Sequence, residues 1–117
     1  MFKGLGDMAG LLRQAQEMQT RMQEAQERLA AMQIEGSAGG GMVTVTVTGQ
    51  QKVLSCRIES ALLESPDAEV LQDLIIAATN QALEKAREAA QEELSSVSGG
   101  MNLPGLGDAL SKLGLGQ

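Results

Sequence analysis

Apolar residues recur between Met8 and Met32 in strictly alternating steps of three and four residues, which is the spacing of a coiled-coil seam. At about 1.5 Å per residue the predicted helix is roughly 39 Å long, more than a chain of this size needs for its own core. We therefore predict a homodimer whose interface is this seam. The interface residues are Met8, Leu11, Ala15, Met18, Met22, Ala25 and Leu29.

A second interpretation keeps the same helix partly within its own domain. On that interpretation the C-terminal half of the seam lies on a sheet while the N-terminal half pairs elsewhere. Asp7 precedes the repeat and is predicted to be the N-cap of this first helix, because its side chain can accept a hydrogen bond from a free backbone N–H.

The pattern then changes to a period of two, which is typical of strands. Residues 34–37 are predicted to form a short first strand, before a glycine cluster at residues 39–41. Residues 43–48 alternate valine with threonine and predict a second strand. Residues 52–59 are predicted to return as a third strand after a two-residue turn at Gly49 and Gln50.

A two-residue turn fixes the register of that hairpin. It places Val45 opposite Leu54 and Val43 opposite Cys56, so that the apolar side chains of both strands share one face. On this register Cys56 points into the core as a small buried hydrophobic residue. We expect that face to pack under the second helix.

The second helix is predicted to begin at Ser65 as N-cap, with Pro66 in the first turn. Residues 70–78 are apolar nearly all round, which indicates burial on more than one side. The predicted fold is therefore α+β, with a long helix, a three-stranded antiparallel sheet and a second long helix. Residues 1–100 form this single domain, and residues 101–117 are predicted to be a flexible glycine-rich tail.

The composition argues against an enzyme. The chain has one cysteine, Cys56, and no histidine, tyrosine or tryptophan, so it offers no multi-cysteine zinc site and no nucleophile activated by a histidine. We expect no catalytic residue, metal, cofactor or small-molecule substrate. No stretch is long and apolar enough for a membrane span, and we expect a cytoplasmic protein without a membrane partner.

The net charge of −6 is unfavourable for a polyanion such as DNA, but the charge is unevenly distributed. Up to residue 65 there are 6 basic and 7 acidic residues, and beyond it 3 and 8. We therefore expect any nucleic acid to approach the nearly neutral first half.

Five segments, in this order, resemble the YbaB/EbfC family of nucleoid-associated proteins. They are the glutamine- and methionine-rich residues 6–19, the valine-threonine strand ending at Gly49, residues 58–64, residues 70–82, and residues 96–104. The resemblance implies an intertwined, tweezer-like homodimer that binds duplex DNA with little or modest sequence preference, organises the nucleoid and influences gene expression. It implies no catalysis.

Within this resemblance the DNA contacts come from basic side chains on the helices and near the sheet. The candidates are Lys3, Arg13, Arg21, Arg28, Lys52, Arg57, Lys85 and Arg87. Because the second helix is acidic, Arg13, Arg21 and Arg57 are the preferred contacts.

Two alternatives remain open. Arg21 and Arg28 each follow a glutamate by four residues, so on the first alternative these arginines only stabilise and solubilise the helix and do not bind phosphate. The arrangement of helix, hairpin and helix is also found in prefoldin-like subunits, so a coiled-coil adaptor or chaperone-like module without DNA binding is the competing function.

Overall fold

The computed structural model describes the backbone of residues 2–64 and 67–99, and the side chains of residues 7–64 and 67–97. The elements are α1 (Phe2–Ala31), β1 (Ile34–Ala38), β2 (Val43–Val47), β3 (Val53–Ile58), α2 (Ser60–Glu64) and α3 (Ala68–Gly99). The predicted order of a long helix, three strands and a long helix is confirmed, and the short helix α2 is an addition. The predicted tail, residues 101–117, lies outside the described residues.

Helix α1 begins at Phe2, so the prediction of Asp7 as its N-cap is wrong. Asp7 lies within the helix and is exposed. The residues before Asp7 include glycines at positions 4 and 6, which are weak helix formers. A glycine inside a helix costs only about 1 kcal/mol relative to alanine, which is too little to exclude a helix from these positions.

The sheet is antiparallel with the order β1-β2-β3, so β2 is the central strand. Helix α3 packs against β1 and β2, and its Ala78, Ala82 and Ala86 form the core with the valines of β2. Leu71, Leu74 and Ile75 are half-buried against this cluster. The expected packing of the valine face under the second helix is therefore correct for β2.

Gly36 explains how closely α3 approaches the sheet. A Cβ atom at this position would lie 2.9 Å from the Cα of Ala82, and closer still to the backbone nitrogen of Ala82 and the carbonyl oxygen of Ala78. Only a residue without a side chain leaves room for the backbone of the helix here.

The hairpin between β2 and β3 differs from the prediction in both turn and register. Gln51 has a φ of 66°, and the N–H of Thr48 donates to the carbonyl of Lys52, so the loop has three residues instead of two. The strands pair Val45 with Cys56 and Val43 with Ile58. The predicted pairs, Val45 with Leu54 and Val43 with Cys56, are therefore wrong by two residues.

The structure also corrects the burial of Cys56. An irregularity between Thr46 and Val47 brings Val53, and not Leu54, opposite Val47. Cys56 does share the face of Val45, but it is exposed, as is every residue of β3 except the half-buried Ile58. The reason is that α3 lies over β1 and β2, while β3 is the uncovered edge.

The N-terminus of α3 is capped by Asp67. Its Oδ1 accepts hydrogen bonds from the N–H groups of Glu69 at 3.1 Å and Val70 at 3.3 Å. The predicted N-cap, Ser65, and the predicted first-turn Pro66 lie outside the described residues.

The C-terminal part of α1 contacts α3 and the hairpin turn. Ala25 and Leu29 are buried, and the N–H of Gly49 donates to the carbonyl of Leu29 at 2.8 Å. The N-terminal part of α1 has no such contacts, because every side chain from residue 7 to residue 20 is exposed.

The protomer is elongated, with extents of 78 × 28 × 16 Å. Its radius of gyration of 21.4 Å exceeds the roughly 13 Å of a compact chain of this length. We call residues 7–20 the α1 arm.

Candidate nucleic-acid interface

Two of the predicted DNA contacts lie on or next to the α1 arm. Arg13 is exposed and Arg21 is half-buried, and both line one shallow groove along the helix with Gln16, Glu17 and Thr20. Glu17 lies between the two arginines in sequence and lines the same groove. Within the part of the chain that the structure describes, neither arginine forms an ion pair.

Arg28 is engaged within the protein. Its Nε and Nη2 donate to the same carboxylate oxygen of Glu93 at 3.1 and 2.9 Å, which joins α1 to α3. This hydrogen bond, together with the charges of Glu93 and Glu24, raises the pKa of Arg28 above its ordinary value. The predicted partner Glu24 therefore acts only at longer range. A phosphate would have to compete with Glu93 for this guanidinium.

The basic residues of α3 are also engaged. Lys85 donates from Nζ to the carbonyl of Glu35 in β1 at 2.9 Å, and Nη2 of Arg87 lies 3.2 Å from a carboxylate oxygen of Glu84. The pair of Arg87 and Glu84 is exposed at both ends, so it holds Arg87 weakly.

Lys52 and Arg57 lie on the side of the sheet that α3 leaves uncovered. Lys52 follows the hairpin turn, and Arg57 pairs across the sheet with Thr44. Both side chains are exposed, and neither forms an ion pair among residues 7–64 and 67–97. The side chain of Lys3 lies outside the described residues. The eight candidates therefore do not converge on one patch: the uncommitted ones lie on the arm and on the β3 side.

The predicted dimer seam divides at Met22. Met8, Leu11, Ala15 and Met18 are exposed, Met22 is half-buried, and Ala25 and Leu29 are buried inside their own chain. The second interpretation of the helix is right that the C-terminal half packs within its own domain, but that half contacts α3 and the hairpin turn and does not lie on the sheet.

Sequence reasoning missed a second apolar surface, on β3. Val53 and Leu54, at the start of β3, are 52% and 47% exposed, and Leu63 in α2, which follows the other end of β3, is 54% exposed. The adjacent valine and leucine were visible in the sequence, but the predicted register assigned Leu54 to the core.

The comparisons with known proteins identify the family. The profile of the YbaB/EbfC DNA-binding family matches residues 3–101. This chain belongs to that family. A nucleoid-associated protein from Desulfotalea psychrophila is 48% identical over 105 residues, covering 90% of this chain and 99% of the relative. One from Alkaliphilus metalliredigens is 43% identical over 108 residues, covering 90% and 95%.

A solved structure supports the fold. The crystal structure of an uncharacterised Helicobacter pylori protein matches with a TM-score of 0.64 at 25% identity. The match covers 76% of this chain and 90% of that protein. The YbaB/EbfC family is a DNA-binding family and not a family of enzymes. Among the described residues, no helix is long and apolar enough to cross a membrane, and no three potential ligands cluster for a metal.

Proposed function

We propose that this member of the YbaB/EbfC family binds duplex DNA as a homodimer, mainly through backbone phosphates and with little or modest sequence preference. On this proposal it helps to organise the nucleoid in the cytoplasm and influences gene expression. The family supports DNA as the partner, and the relatives named nucleoid-associated proteins support the nucleoid as the location. The structural observation that carries the proposal is the exposed α1 arm, with Arg13 on it and Arg21 directly after it, neither of them in an ion pair among the described residues.

Phosphate contacts suit this surface better than base contacts. The surrounding side chains are Gln16, Glu17 and Thr20, and one acidic residue already lies between the two arginines. We therefore expect weak DNA binding dominated by phosphate contacts. A basic side chain that contacts a phosphate releases a counterion from the DNA, and this contribution to affinity does not depend on the base sequence. The chain has no tyrosine or tryptophan to stack on the bases of a single strand, so duplex DNA is the preferred substrate.

The DNA proposal is tested by fluorescence anisotropy with a labelled duplex at several salt concentrations. A dimer that contacts about four phosphates should show a slope of log affinity against log salt near −3.6. Replacing Arg13, Arg21 and Arg57 together by alanine should weaken binding and move the slope towards zero by about 1 for each phosphate that the variant no longer binds.

The matched control for one arginine is Arg87→Ala, because it removes the same charge as Arg13→Ala from a residue that faces Glu84 on the acidic helix. We expect Arg13→Ala to weaken binding more than Arg87→Ala does. An unchanged salt slope in the triple variant would refute the arm and hairpin as the DNA surface.

The homodimer is proposed to form through the open part of the seam on the α1 arm. Four apolar seam positions, Met8, Leu11, Ala15 and Met18, are exposed in the protomer, whereas Ala25 and Leu29 are already buried within it. A second copy of the same helix covers such a stripe with matching 3.5-residue spacing. Contiguous exposed apolar surface of this kind marks an interaction site.

Sedimentation velocity on Leu11→Glu with Met18→Glu tests this interface, because both side chains are exposed and their replacement leaves the protomer core intact. We expect monomers. The comparison variant is Val53→Glu with Leu54→Glu, on the other exposed apolar surface. A dimer that survives the arm variant but dissociates in the β3 variant would show that β3, and not the seam, is the interface.

A second candidate function, an adaptor or chaperone-like module, is favoured by the same apolar arm, where Met8, Leu11 and Leu12 are each at least 60% exposed. Flexible methionine side chains suit variable protein partners. An intact dimer that binds no duplex DNA even at low salt would support this function over DNA binding.

A further inference from the structure

The two edges of the sheet are treated differently by the rest of the protein. At the β1 edge, the N–H of Ser37 donates to Oε1 of Gln81 at 2.7 Å, and the carbonyl of Glu35 accepts from Nζ of Lys85 at 2.9 Å. At the β3 edge, among the described residues, no side chain forms a hydrogen bond with the strand backbone.

The two bonded groups on β1 are the ones that an added strand would use. In an antiparallel pair, alternate residues direct both backbone groups towards the partner strand, and the residues between them direct theirs away. Ser37 and Glu35 flank Gly36 and meet side chains of α3 instead of β2. Unpaired backbone groups along a strand edge are a template for another strand, so their occupation by side chains removes part of that template.

The geometry that permits this arrangement follows from Gly36. Because that position has no side chain, the α3 backbone lies against β1, and its side chains reach over the strand edge. Two residues along a strand span about 6.6 Å, and four residues along a helix span about 6.0 Å. Gln81 and Lys85 are four apart and Ser37 and Glu35 are two apart, so the two spacings match.

We propose that Gln81 and Lys85 are edge-blocking residues, which prevent the open β3 strand of a second copy from adding to β1. Pairing of β3 with β1 of the next copy is a head-to-tail contact that does not close on itself, and such contacts generate open chains of protomers. Blocking β1 confines association to surfaces that form a closed assembly. The proposal assigns Lys85 a role that needs no DNA, and it holds for a monomer as well as for the proposed homodimer.

The test is the double variant Gln81→Ala with Lys85→Ala, followed by sedimentation velocity over a range of concentrations. We expect species at least twice the mass of the wild-type particle, growing with concentration. The variant is one charge more negative than the wild type, so reduced charge repulsion does not explain such growth.

The matched control is Gln91→Ala with Arg87→Ala. Like the test variant, it removes one glutamine and one basic side chain from exposed positions of α3, and it changes the net charge by the same amount. It should sediment like the wild type, and so should Gln81→Glu with Lys85→Arg, which keeps an acceptor and a donor in place. A folded alanine variant with wild-type mass at all concentrations would overturn the proposal.

Two further measurements identify the occupant and separate folding from assembly. In the assembled variant, the thiol of Cys56 should react more slowly than in the wild type, because β3 would then be covered. Assemblies with a fully reactive Cys56 would exclude β3 as the added strand. In dilute Gln81→Ala, where no assembly occurs, amide exchange should accelerate at Ser37 and not at Gly36. Unchanged exchange at Ser37 would show that Gln81 does not protect the edge.

Discussion

Replacing Gly36 by alanine tests the closest approach between helix and sheet in the fold. The new Cβ would meet backbone atoms of Ala78 and Ala82, including the Cα of Ala82 at 2.9 Å, whereas ordinary van der Waals separations are 3.4–4 Å. Because backbone atoms cannot rotate away as a flexible side chain does, α3 must shift away from β1.

The expected loss of stability follows from two opposing effects. Overpacking of a well-packed core costs about 1–3 kcal/mol, and a forced movement of helix backbone belongs at the upper end of that range. The loss of chain freedom in the unfolded state, when glycine becomes alanine, offsets roughly 0.4–1 kcal/mol. We expect Gly36→Ala to lower the free energy of unfolding by about 2 kcal/mol, which corresponds to a fall in Tm of roughly 8 °C.

Gly10→Ala is the matched control, because a Cβ at Gly10 has no neighbouring atom within 4 Å. Gly10 lies inside α1, where alanine is favoured over glycine by about 1 kcal/mol, so the same substitution should stabilise the protein. Thermal and urea unfolding followed by circular dichroism, at one fixed protein concentration, measures both variants. A Gly36→Ala protein as stable as the wild type would refute the close approach of α3 to β1.

Two further predictions concern the start of α3 and the exposed edge. Asp67→Ala should lower the free energy of unfolding, measured in urea, by about 1 kcal/mol because two N–H groups lose their acceptor. The control Asp73→Ala, at an exposed position inside the helix, should not lower it. Equal losses of stability in the two variants would argue against Asp67 as the cap. Cys56 in dilute native protein should react with a thiol reagent nearly as fast as in denaturant, and strong protection there would contradict its exposure.

The sequence was sufficient for the order of the two long helices and the three strands. The alternation of valine and threonine over residues 43–48 is a local signal, so it predicts a strand whichever strands lie beside it. The hairpin register was not predictable from this signal. The register depends on the backbone conformation, namely the left-handed φ of Gln51 and the irregularity beside Val47. Together they shift the pairing by two residues from the predicted one, which keeps Val45 and Cys56 on the same face of the sheet.

The exposure of Cys56 depends on tertiary structure in a different way. Alternation assigns a residue to one face of a sheet, but it does not say which strands a helix covers. The position of α3 is set by the absence of a side chain at Gly36 and by small side chains at Ala78 and Ala82. These residues are some forty positions apart in sequence, and a single sequence contains no signal that pairs them.

The candidate DNA residues were predictable as a class but not as individuals. A count of basic residues finds all eight, yet Arg28 pairs with Glu93 at a separation of 65 residues, and Lys85 bonds to the backbone of Glu35 at a separation of 50. Local reasoning instead proposed Glu24 as the partner of Arg28. Long-range interactions of this kind decide which positive charges remain available for a phosphate.

The seam shows why a continuous pattern need not have one partner. Ala25 and Leu29 continue the stripe that begins at Met8, so the face of α1 that packs within the protomer is the face that is open farther along. The seam changes from buried to exposed near the C-terminal end of α3, where Val97 is still buried and the helix is described up to Gly99. Among the described residues, the seam is therefore exposed where α3 no longer lies beside α1, and the proposed second copy would cover only that part of it.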